Sequence, residues 1–458
     1  MKRTVKRIHF VGIGGIGMSG IAEVLMNLDY AISGSDLAAS DITERLARLG
    51  ARIYEGHHST NLGDADVVVT STAITQDNPE VMEAKSRGVP IIARAEMLAE
   101  LLKMKFSIAV SGCHGKTTTT SMVATILANG GLDPTVVIGG RLDSIGSNAR
   151  LGKGEVIVAE ADESDGSFLM LSPTITVVTN IDREHLDYYS GIGEIKDAFI
   201  KFVNSVPFYG TAVLCGDCSN VRDILPRVKR RIITYGLTEQ CEYSASDISF
   251  QGFGSSYTLR NRGEILGPIS LQVPGLFNVY NSMAAVAVAR ELDVDFSVIR
   301  EGIRSYRGVH RRLEIKGTAD SITVIDDYGH HPTEIKATLS ALRQAWEGKL
   351  IVVFQPHRFT RTKALFEDFL DAFDAADETI VTDIYAASEK PIQGIHSIGL
   401  CKAIQDRGYE RILYLSGFGE IVDYLNGTVG PGDAVLTLGA GNVWKVGELF
   451  LAARRGRS

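Results

Sequence analysis

The sequence lacks several features that would have indicated a particular class of protein. None of its apolar runs approaches the roughly 20 residues that span a membrane. Its five cysteines are scattered over 458 residues, which fits reduced thiols better than a disulfide framework. The net charge of −8, with both signs interspersed, provides no basic field for a nucleic-acid backbone. We therefore expect neither membrane insertion nor nucleic-acid binding.

Two local patterns resemble targeting or metal-binding motifs but lack essential parts. The opening MKRTVKRIHFVGIGGIGMSGIAEVLM has the basic start and apolar body of a signal peptide. Five glycines interrupt the apolar part, and no convincing cleavage site follows, so we expect a cytoplasmic protein. Cys215 and Cys218 form a CGDC pair, but no second pair or histidine cluster completes a zinc site, and a metal or redox role there is the minor alternative.

The chain has the organisation of a multidomain α/β protein. Its length predicts two or three domains, and β-branched segments alternate with segments of helical period, which favours largely parallel sheets. Three blocks can be distinguished, with boundaries near residues 104 and 312. Neither a linker rich in proline or serine nor an internal repeat marks them. Between Tyr243 and Val273, shorter alternating segments predict an antiparallel insertion in the second block.

The second block begins with a candidate phosphate loop, in the stretch IAVSGCHGKTTTTSMVATIL. Gly112 and Gly115 would let backbone N–H groups converge on an anion, Lys116 adds positive charge, and Thr117 supplies a hydroxyl for magnesium. A predicted strand precedes the loop and a predicted helix follows it, so the anion would lie at a helix N-terminus. Nucleotide phosphate is the expected ligand. The alternative is a glycine-rich turn with a solvated lysine.

The first block opens with a second glycine-rich turn, VGIGGIGMSG. Its glycines lie between a predicted strand and helix, and Asp36 ends the next strand, as in dinucleotide-binding folds. The glycines concerned are Gly12, Gly14, Gly15 and Gly17. The same turn accepts any diphosphate, so a nicotinamide is one alternative and another nucleotide diphosphate is the other.

Acidic and imidazole side chains follow two predicted strands of the second block. They occur in VAEADESDGSF (Glu160, Asp162, Glu163, Asp165) and in TNIDREHLDYY (Asn180, Asp182, His185, Asp187). Strand carboxyl ends form the ligand crevice of α/β sheets, and magnesium prefers such oxygen ligands. The sequence period does not show which carboxylate points inward. A solvated acidic loop and a capping histidine are the alternatives.

These motifs, taken in order, resemble those of the Mur ligases, particularly the branch that adds alanine. The segments that carry the resemblance are GCHGKTTTT, EADESDGSF, TNIDREHLDYY, GLFNVYNSMAA, HRRLEIKG, DDYGHHPTEI and FQPHRFTRTKALFEDF. The resemblance covers essentially the whole chain. It implies a Rossmann-like domain for a UDP-sugar (residues 1–104), a central P-loop ATPase domain with the antiparallel insertion (105–311), and a Rossmann-like C-terminal domain that closes over the site (312–458).

The resemblance also implies an ATP-dependent, amide-forming ligase of peptidoglycan precursor synthesis, with ATP and Mg²⁺ bound. Its substrates would be UDP-N-acetylmuramate and L-alanine, and it would be a monomer or homodimer. The implied ATP contacts are Gly112, Cys113, His114, Gly115, Lys116, Thr117 and Thr118, with Asn278 and Asn281 at the adenine and Arg311 or Arg312 at a phosphate. The implied metal ligands are Thr117, Glu160 and His185.

The remaining implied site residues concern the UDP-sugar and the chemical step. The implied contacts of the UDP-sugar are Gly12, Gly14, Gly15, Gly17, Asp36, Thr70, Ser71 and Thr72. In the last domain Asp327, Tyr328, His330 and His331 would approach the nucleotide and the amino acid, with His357 and Arg361 on the substrate side. The expected catalytic residues are Lys116, His185, Asp327, His330 and His331, and either of the last two could help to deprotonate the amine.

Two positions depart from the family pattern. Phe199, instead of Lys196, occupies the position at which ligases that add later residues carry a carbamylated lysine, in agreement with the alanine-adding branch. Cys113 stands where the family usually has threonine. Because it lies beside a helix N-terminus, we expect a lowered thiol pKa and a reactive thiolate. The alternative is an inert cysteine packed beneath the loop.

Three other functions compete with this interpretation. A related ligase could join a ready-made peptide to the same UDP-sugar. An NAD-dependent dehydrogenase would use the first turn but leave the phosphate loop of the second block without a role. A nucleotide-binding regulatory module would not explain why acid, histidine and lysine residues gather at successive strand ends.

Overall fold

The computed structural model describes residues 5–71, 73–142, 147–185 and 188–456. The chain forms two compact units. The first unit comprises Met1–Ala245, Leu259–Gly267 and Tyr280–Ser305, and the second comprises Ser246–Thr258, Pro268–Val279 and Tyr306–Ser458. In the described ranges, no helix combines the length and the apolarity that crossing a membrane requires.

The amino-terminal sheet has five parallel strands in the order β3-β2-β1-β4-β5. Its strands are β1 (Arg7–Val11), β2 (Ala31–Asp36), β3 (Arg52–Glu55), β4 (Val67–Thr70) and β5 (Ile91–Ala93). Its helices are α1 (Ile16–Asn27), α2 (Asp41–Arg48), α3 (Pro79–Ser86) and α4 (Arg94–Leu102). The strand order reverses at β1, and such switch points form ligand crevices in open α/β sheets.

The central sheet has ten strands in the order β15-β14-β13-β12-β11-β10-β6-β9-β7-β8. Its strands are β6 (Phe106–Ser111), β7 (Thr135–Leu142), β8 (Ser147–Arg150), β9 (Val156–Glu160), β10 (Ile175–Val178), β11 (Thr211–Cys215), β12 (Arg231–Gly236), β13 (Tyr243–Gln251), β14 (Gly254–Asn261) and β15 (Glu264–Leu271). Its helices are α5 (Lys116–Asn129), α6 (Ile192–Asn204), α7 (Ser219–Ile224), α8 (Leu276–Glu291) and α9 (Phe296–Ser305).

The predicted antiparallel insertion is confirmed. Two residues join β13 to β14, and two join β14 to β15, and only antiparallel neighbours can be connected so tightly.

Strands β6, β9, β10 and β11 are parallel, so their carboxyl ends lie along one edge. That edge carries the phosphate loop and both acidic segments.

The carboxyl-terminal sheet has six strands in the order β16-β17-β21-β18-β19-β20. Its strands are β16 (Glu314–Ala319), β17 (Ile322–Asp327), β18 (Leu350–Phe354), β19 (Glu378–Val381), β20 (Ile412–Tyr414) and β21 (Ala434–Leu438). Its helices are α10 (Pro332–Ala345), α11 (Phe359–Ala364), α12 (Phe366–Phe369), α13 (Ser397–Asp406), α14 (Phe418–Thr428) and α15 (Trp444–Arg455). Only β16 pairs antiparallel, and the other pairs are parallel. The predicted α/β class with largely parallel sheets is confirmed.

Three short 3-10 helices complete the regular structure of the described residues: Ser59–Leu62, Ser167–Met170 and Leu225–Arg227.

A buried carboxylate supports the amino-terminal sheet behind its glycine turn. Glu80 is fully buried and accepts hydrogen bonds from Ser35 Oγ at 2.5 Å and Asn61 Nδ2 at 2.6 Å. Its Oε2 lies 3.6 Å from His9 Nε2 and 3.4 Å from His57 Nδ1. Burial alone would raise the pKa of Glu80, but these partners lower it to about 2. Because the carbonyl of Ser35 accepts from the N–H groups of Gly12 and Ile13, this network supports the turn itself.

We expect Glu80→Ala to destabilise the amino-terminal sheet by about 3 kcal/mol at neutral pH, the usual cost of removing one partner from a buried charged network. The pKa of Glu80 is lowered, so its stabilisation is present above the ordinary value of 4.5 and is lost as the pH falls from there to about 2. Thermal unfolding of parent and variant at pH 7 and pH 3 measures the difference, which should narrow at the lower pH.

The matched control is Glu100→Ala. The exposed pair between Glu100 Oε1 and Lys103 Nζ spans 2.7 Å, and such surface pairs contribute less than about 1 kcal/mol. Equal losses of stability in both variants at pH 7 would contradict the role assigned to Glu80.

Candidate functional site

The predicted phosphate loop joins β6 to the N-terminus of α5. Gly112 (φ 133°) and Gly115 (φ 82°) adopt backbone conformations that other residues rarely accept. A Cβ at Gly115 would lie 2.6 Å from Asn281 Oδ1, so space as well as backbone angle requires glycine there. Helix α5 has no acidic residue in its first turn. Its N–H groups and macrodipole therefore favour an anion at the loop.

Side chains that follow β10 hold the loop in this shape. The backbone N–H of His114 donates to Asn180 Oδ1 at 2.9 Å, and its carbonyl accepts from Asn180 Nδ2 at 2.9 Å and from Thr179 Oγ1 at 2.6 Å. His114 Nε2 lies 3.3 Å from Asp182 Oδ2. Thr179 was not identified from the sequence, and only its position at a strand end, beside Asn180, could have suggested it.

Lys116 carries its positive charge into a nearly closed environment. Its Nζ donates to the carbonyl of Gly112 at 2.7 Å and to Glu163 Oε1 at 2.8 Å. Burial by itself would lower the pKa of Lys116, but the carboxylates of Glu163, Glu160 and Asp162 outweigh it and raise that pKa. Lys116 is therefore charged at neutral pH.

The carboxylates of the acidic segment that follows β9 have different partners. Glu160 Oε2 accepts from Thr117 Oγ1 at 2.9 Å, which brings together two of the three predicted metal ligands. Glu163 is fully buried beside Lys116, and its carbonyl accepts from Tyr189 Oη at 2.6 Å. The structure thus shows which carboxylates point inward, whereas the sequence period did not.

His185, the third predicted metal ligand, lies against Glu163. Its Nε2 is 3.2 Å from Glu163 Oε1 and 3.7 Å from Glu184 Oε2. Burial would lower the pKa of His185, but these two carboxylates raise it overall. Its backbone has a positive φ of 55°, which is uncommon for residues other than glycine but less so for histidine than for most. Asp187 of the same motif lies outside the described residues.

The prediction of a reactive Cys113 thiolate is wrong. The side chain is 7% exposed and turned beneath the loop, where its Sγ accepts from the backbone N–H of Asp182 at 3.1 Å. Burial is the main cause that raises the pKa of Cys113, and Glu163 and Glu184 add to it. These effects outweigh the backbone N–H of Asp182 and the charge of Lys116, which both lower that pKa, so the thiol is favoured over the thiolate.

The two predicted adenine contacts lie in different compact units. Asn281, in the first unit, accepts from Thr119 Oγ1 at 3.1 Å and lies over Gly115. Asn278, in the second unit, donates to the carbonyl of Pro274 at 2.7 Å. Thr118 is buried in the first turn of α5.

The glycine turn of the amino-terminal sheet is built as predicted. Gly12 has a φ of 82°, and the N–H of Gly14 donates to Asp36 Oδ2 at 2.8 Å. A Cβ at Gly14 would meet that same oxygen at 2.8 Å. Gly15 caps α1, and Gly17 in its first turn lies against Arg94. Asp36 therefore supports the turn directly.

The predicted hydroxyl residues end the neighbouring strand. Val11 pairs with Thr70, which places the end of β4, and Ser71 after it, beside the glycine turn. Ser71 Oγ would lie 3.8 Å from a Cβ at Gly12. Thr72 lies outside the described residues.

In the second unit, Arg311 is held inside its own domain. Its Nε donates to Asp326 Oδ2 at 2.8 Å, and its Nη atoms donate to the carbonyls of Gly439 at 2.6 Å and Gly441 at 3.2 Å. Arg312 lies 5.3 Å from the ring centroid of Tyr328, and its Nη1 is 3.7 Å from Glu334 Oε1.

Asp327 is a buried support of this region. It accepts from the backbone N–H groups of Leu313 and Gly329, each at 2.8 Å. Burial raises the pKa of Asp327 to about 6. The carboxylate thereby joins Leu313, which directly follows Arg311 and Arg312, to the segment that carries Tyr328 and His330.

The two adjacent histidines have different surroundings. His331 caps α10, accepting from the backbone N–H of Thr333 at 3.3 Å. His330 Nδ1 is 3.1 Å from the carbonyl of Tyr328, and its ring lies 5.7 Å from that of His357.

His357 faces His330 from the end of β18. Its Nδ1 is 3.1 Å from Arg361 Nη1, and its ring stacks on Tyr385. Burial, His330 and Arg361 lower the pKa of His357 to about 3, so the ring is neutral at neutral pH. The structure brings His330, His357 and Arg361 together as one cluster.

Three domain families match the chain in sequence order. They are the Mur ligase family, catalytic domain (residues 7–106), the Mur ligase middle domain (110–289) and the Mur ligase, glutamate ligase domain (311–441).

Three proteins that are similar to the chain over nearly their full length are named as ligases of UDP-N-acetylmuramate and alanine. The UDP-N-acetylmuramate–L-alanine ligase of Syntrophus aciditrophicus is 62% identical over 99% of this chain and 94% of its own length. The ligase of the same name from Geobacter sp. strain M21 is 58% identical over 98% of this chain and 97% of its own length. The crystal structure of UDP-N-acetylmuramate-alanine ligase from Thermotoga maritima has a TM-score of 0.83 and 30% identity, covering 99% of this chain and 100% of that one. With three matching domains in order and full-length relatives, the chain belongs to the Mur ligase family.

Proposed function

We propose that the chain joins L-alanine to the lactyl carboxylate of UDP-N-acetylmuramate and converts ATP to ADP and phosphate. The observation that carries this proposal is the 62% identity, over 99% of the chain, to a relative named for that reaction. The phosphate loop supports it, because Lys116 and Thr117 stand at the N-terminus of α5 beside Glu163 and Glu160.

The proposed reaction requires ATP because a carboxylate is a poor electrophile. The lactyl carboxylate attacks the γ-phosphorus, the bond to the β-phosphate oxygen breaks, and an acyl phosphate and ADP result. The amine of alanine then attacks the acyl carbon, phosphate leaves, and one proton is lost from nitrogen. Charge gathers on the phosphoryl oxygens in the first step, so a preorganised cation contributes most there. Lys116 is that cation in our proposal.

The donor set fits magnesium. Thr117 and Glu160 offer a hydroxyl and a carboxylate already in contact, and magnesium prefers oxygen ligands. When bound, Mg²⁺ would neutralise phosphate charge and orient the transferred group. Imidazole is a poorer ligand than oxygen for so hard a cation. We therefore place His185 next to the metal ligands, in contact with Glu163, and not among them.

In the amino-terminal domain, we assign the UDP diphosphate to the glycine turn. Gly14 and Gly15 precede α1, whose N-terminus favours an anion. Asp36 supports the turn by accepting a hydrogen bond from the N–H of Gly14. Thr70 and Ser71, at the end of the next strand, would contact the sugar nucleotide.

In the carboxyl-terminal domain, the contacts favour one member of each pair left open by the sequence. Arg311 has its guanidinium committed to Asp326 and two carbonyls, so we assign nucleotide phosphate to Arg312. His331 caps a helix, so we assign the amine of alanine to His330. His357 and Arg361 would line the same side.

Phosphate release by the full chain tests the proposal. We expect release with ATP, Mg²⁺, UDP-N-acetylmuramate and L-alanine together, and little when any one is omitted. Replacing alanine by the tripeptide L-alanyl-γ-D-glutamyl-meso-diaminopimelate should abolish it. Turnover with the tripeptide, and none with alanine, would assign the chain to the peptide-joining branch instead.

We expect Lys116→Ala to lower turnover roughly 10²-fold or more, the scale for loss of one preorganised charge-stabilising group. This change also leaves the buried Glu163 without its cation, so stability should fall as well. Adding Glu163→Gln should restore much of the stability but not the turnover. Steady-state kinetics and thermal unfolding of both variants separate these effects.

The matched control is Lys196→Ala. Its Nζ pairs with Asp223 Oδ2 at 2.7 Å, between helices α6 and α7, so turnover should stay within about twofold. Turnover of Lys116→Ala within threefold of the parent would remove Lys116 from the mechanism.

The burial of Cys113 predicts slow alkylation, whether or not ATP is bound. Cys218 is the most exposed of the five cysteines and should react first with a small alkylating reagent. Mass spectrometry of modified peptides measures the order, and Cys113→Thr should lose activity to the reagent as slowly as the parent. Rapid modification of Cys113 that ATP prevents would restore the hypothesis of a reactive thiolate.

A further inference from the structure

One arginine contacts both nucleotide-binding segments of the first unit. Arg94, the first residue of α4, places its Nη2 3.2 Å from Asp162 Oδ2 in the acidic segment. The same guanidinium lies on the first turn of α1. A Cβ at Gly17 would be 3.2 Å from Arg94 Cδ and 3.3 Å from its Cζ, so a side chain there would displace the guanidinium from this position.

The position of Arg94 is unfavourable without an anionic partner. The N-terminus of a helix carries partial positive charge, and α1 has no acidic residue in its first turn to offset a nearby guanidinium. Asp162 supplies the negative charge from the neighbouring domain. A diphosphate bound at the glycine turn would supply more, and a guanidinium has enough donors for both.

Asp162 also belongs to the surroundings of Lys116. Burial opposes ionisation of Asp162, but Lys116, the hydroxyl and N–H of Ser164, and Arg94 lower its pKa overall. Its neighbours in sequence complete the link, because Glu163 binds Lys116 and Glu160 binds Thr117. Asp162 therefore belongs to the segment that connects the Arg94 guanidinium to the residues that surround the phosphate loop.

We propose that Arg94 is a positioning residue that couples the two nucleotide sites, so that the UDP-sugar and ATP each bind more tightly when the other is bound. An anion at the glycine turn fixes the guanidinium, which fixes Asp162 and the acidic segment. The first ligand then bears the cost of ordering, and the second binds to residues already in place. The inference rests on the proposed function, which assigns the two ligands.

Calorimetric titration of the full chain with UDP-N-acetylmuramate tests this coupling, with and without Mg²⁺ and a non-hydrolysable ATP analogue. We expect the analogue to lower the Kd of the parent at least about fivefold, within the usual range of coupling between sites. In Arg94→Met, which keeps most of the apolar stem, the ratio of the Kd without the analogue to the Kd with it should fall to about one. Asp162→Asn should have the same effect, and the double variant should lose no more than either single one.

Two further variants separate coupling from general damage. Arg45→Met removes a comparable arginine contact to helix α1, in which Arg45 Nη2 on α2 lies 2.7 Å from Glu23 Oε1 on α1, and it should keep the Kd ratio of the parent. Arg94→Lys keeps the charge without the fork and should retain part of the coupling.

The outcomes distinguish this inference from the proposed function. If Arg94→Met keeps the Kd ratio of the parent, the inference is overturned. This includes the case in which the variant binds the sugar more weakly by the same factor with and without the analogue. Binding by the parent without coupling would overturn the inference alone. Failure of the parent to bind the UDP-sugar would overturn the proposed function and this inference with it.

Discussion

The contact between Lys116 and the buried carboxylate of Glu163 is the interaction on which the rest of the central site depends. A lysine ammonium and a carboxylate that are both shielded from water are stable only when they pair. The pair fixes the end of the phosphate loop, because Lys116 also donates to the carbonyl of Gly112. It also sets the position of His185, whose ring meets the same carboxylate oxygen. Loop, acidic segment and histidine are therefore one electrostatic unit.

Parallel strands explain why such a unit can form from distant parts of the chain. Strands β6, β9 and β10 end at the same edge of the central sheet, so the residues after each strand meet there. The same rule acts in the carboxyl-terminal sheet. There β17, β21 and β18 are neighbours, and the ends of these strands supply Asp327, the carbonyls that bind Arg311, and His357.

Features that depend on a few consecutive residues could be predicted from the sequence. The two glycine turns, Lys116 at the start of α5 and the antiparallel insertion follow from local spacing and turn chemistry. Features that depend on tertiary contacts could not. The pKa of Cys113 depends on how deeply the thiol is buried and on Glu163 and Glu184, and the two carbonyl partners of Arg311 come from residues about 130 positions later. Arg94 gave no local signal, since a single arginine at a helix start is unremarkable in sequence.

The phosphate loop has a consequence for how the protein is made. His114 is held by Asn180, 66 residues later, and Thr119 in the adjoining helix binds Asn281, 162 residues later. Contacts of such sequence separation form late, because long stretches of chain must first be brought together. While the ribosome is still synthesising the central domain, the residues of the loop exist without the partners that give the loop its shape. The loop can therefore reach its folded shape only when this domain is almost complete, and an unfinished chain lacks the ATP site that we propose.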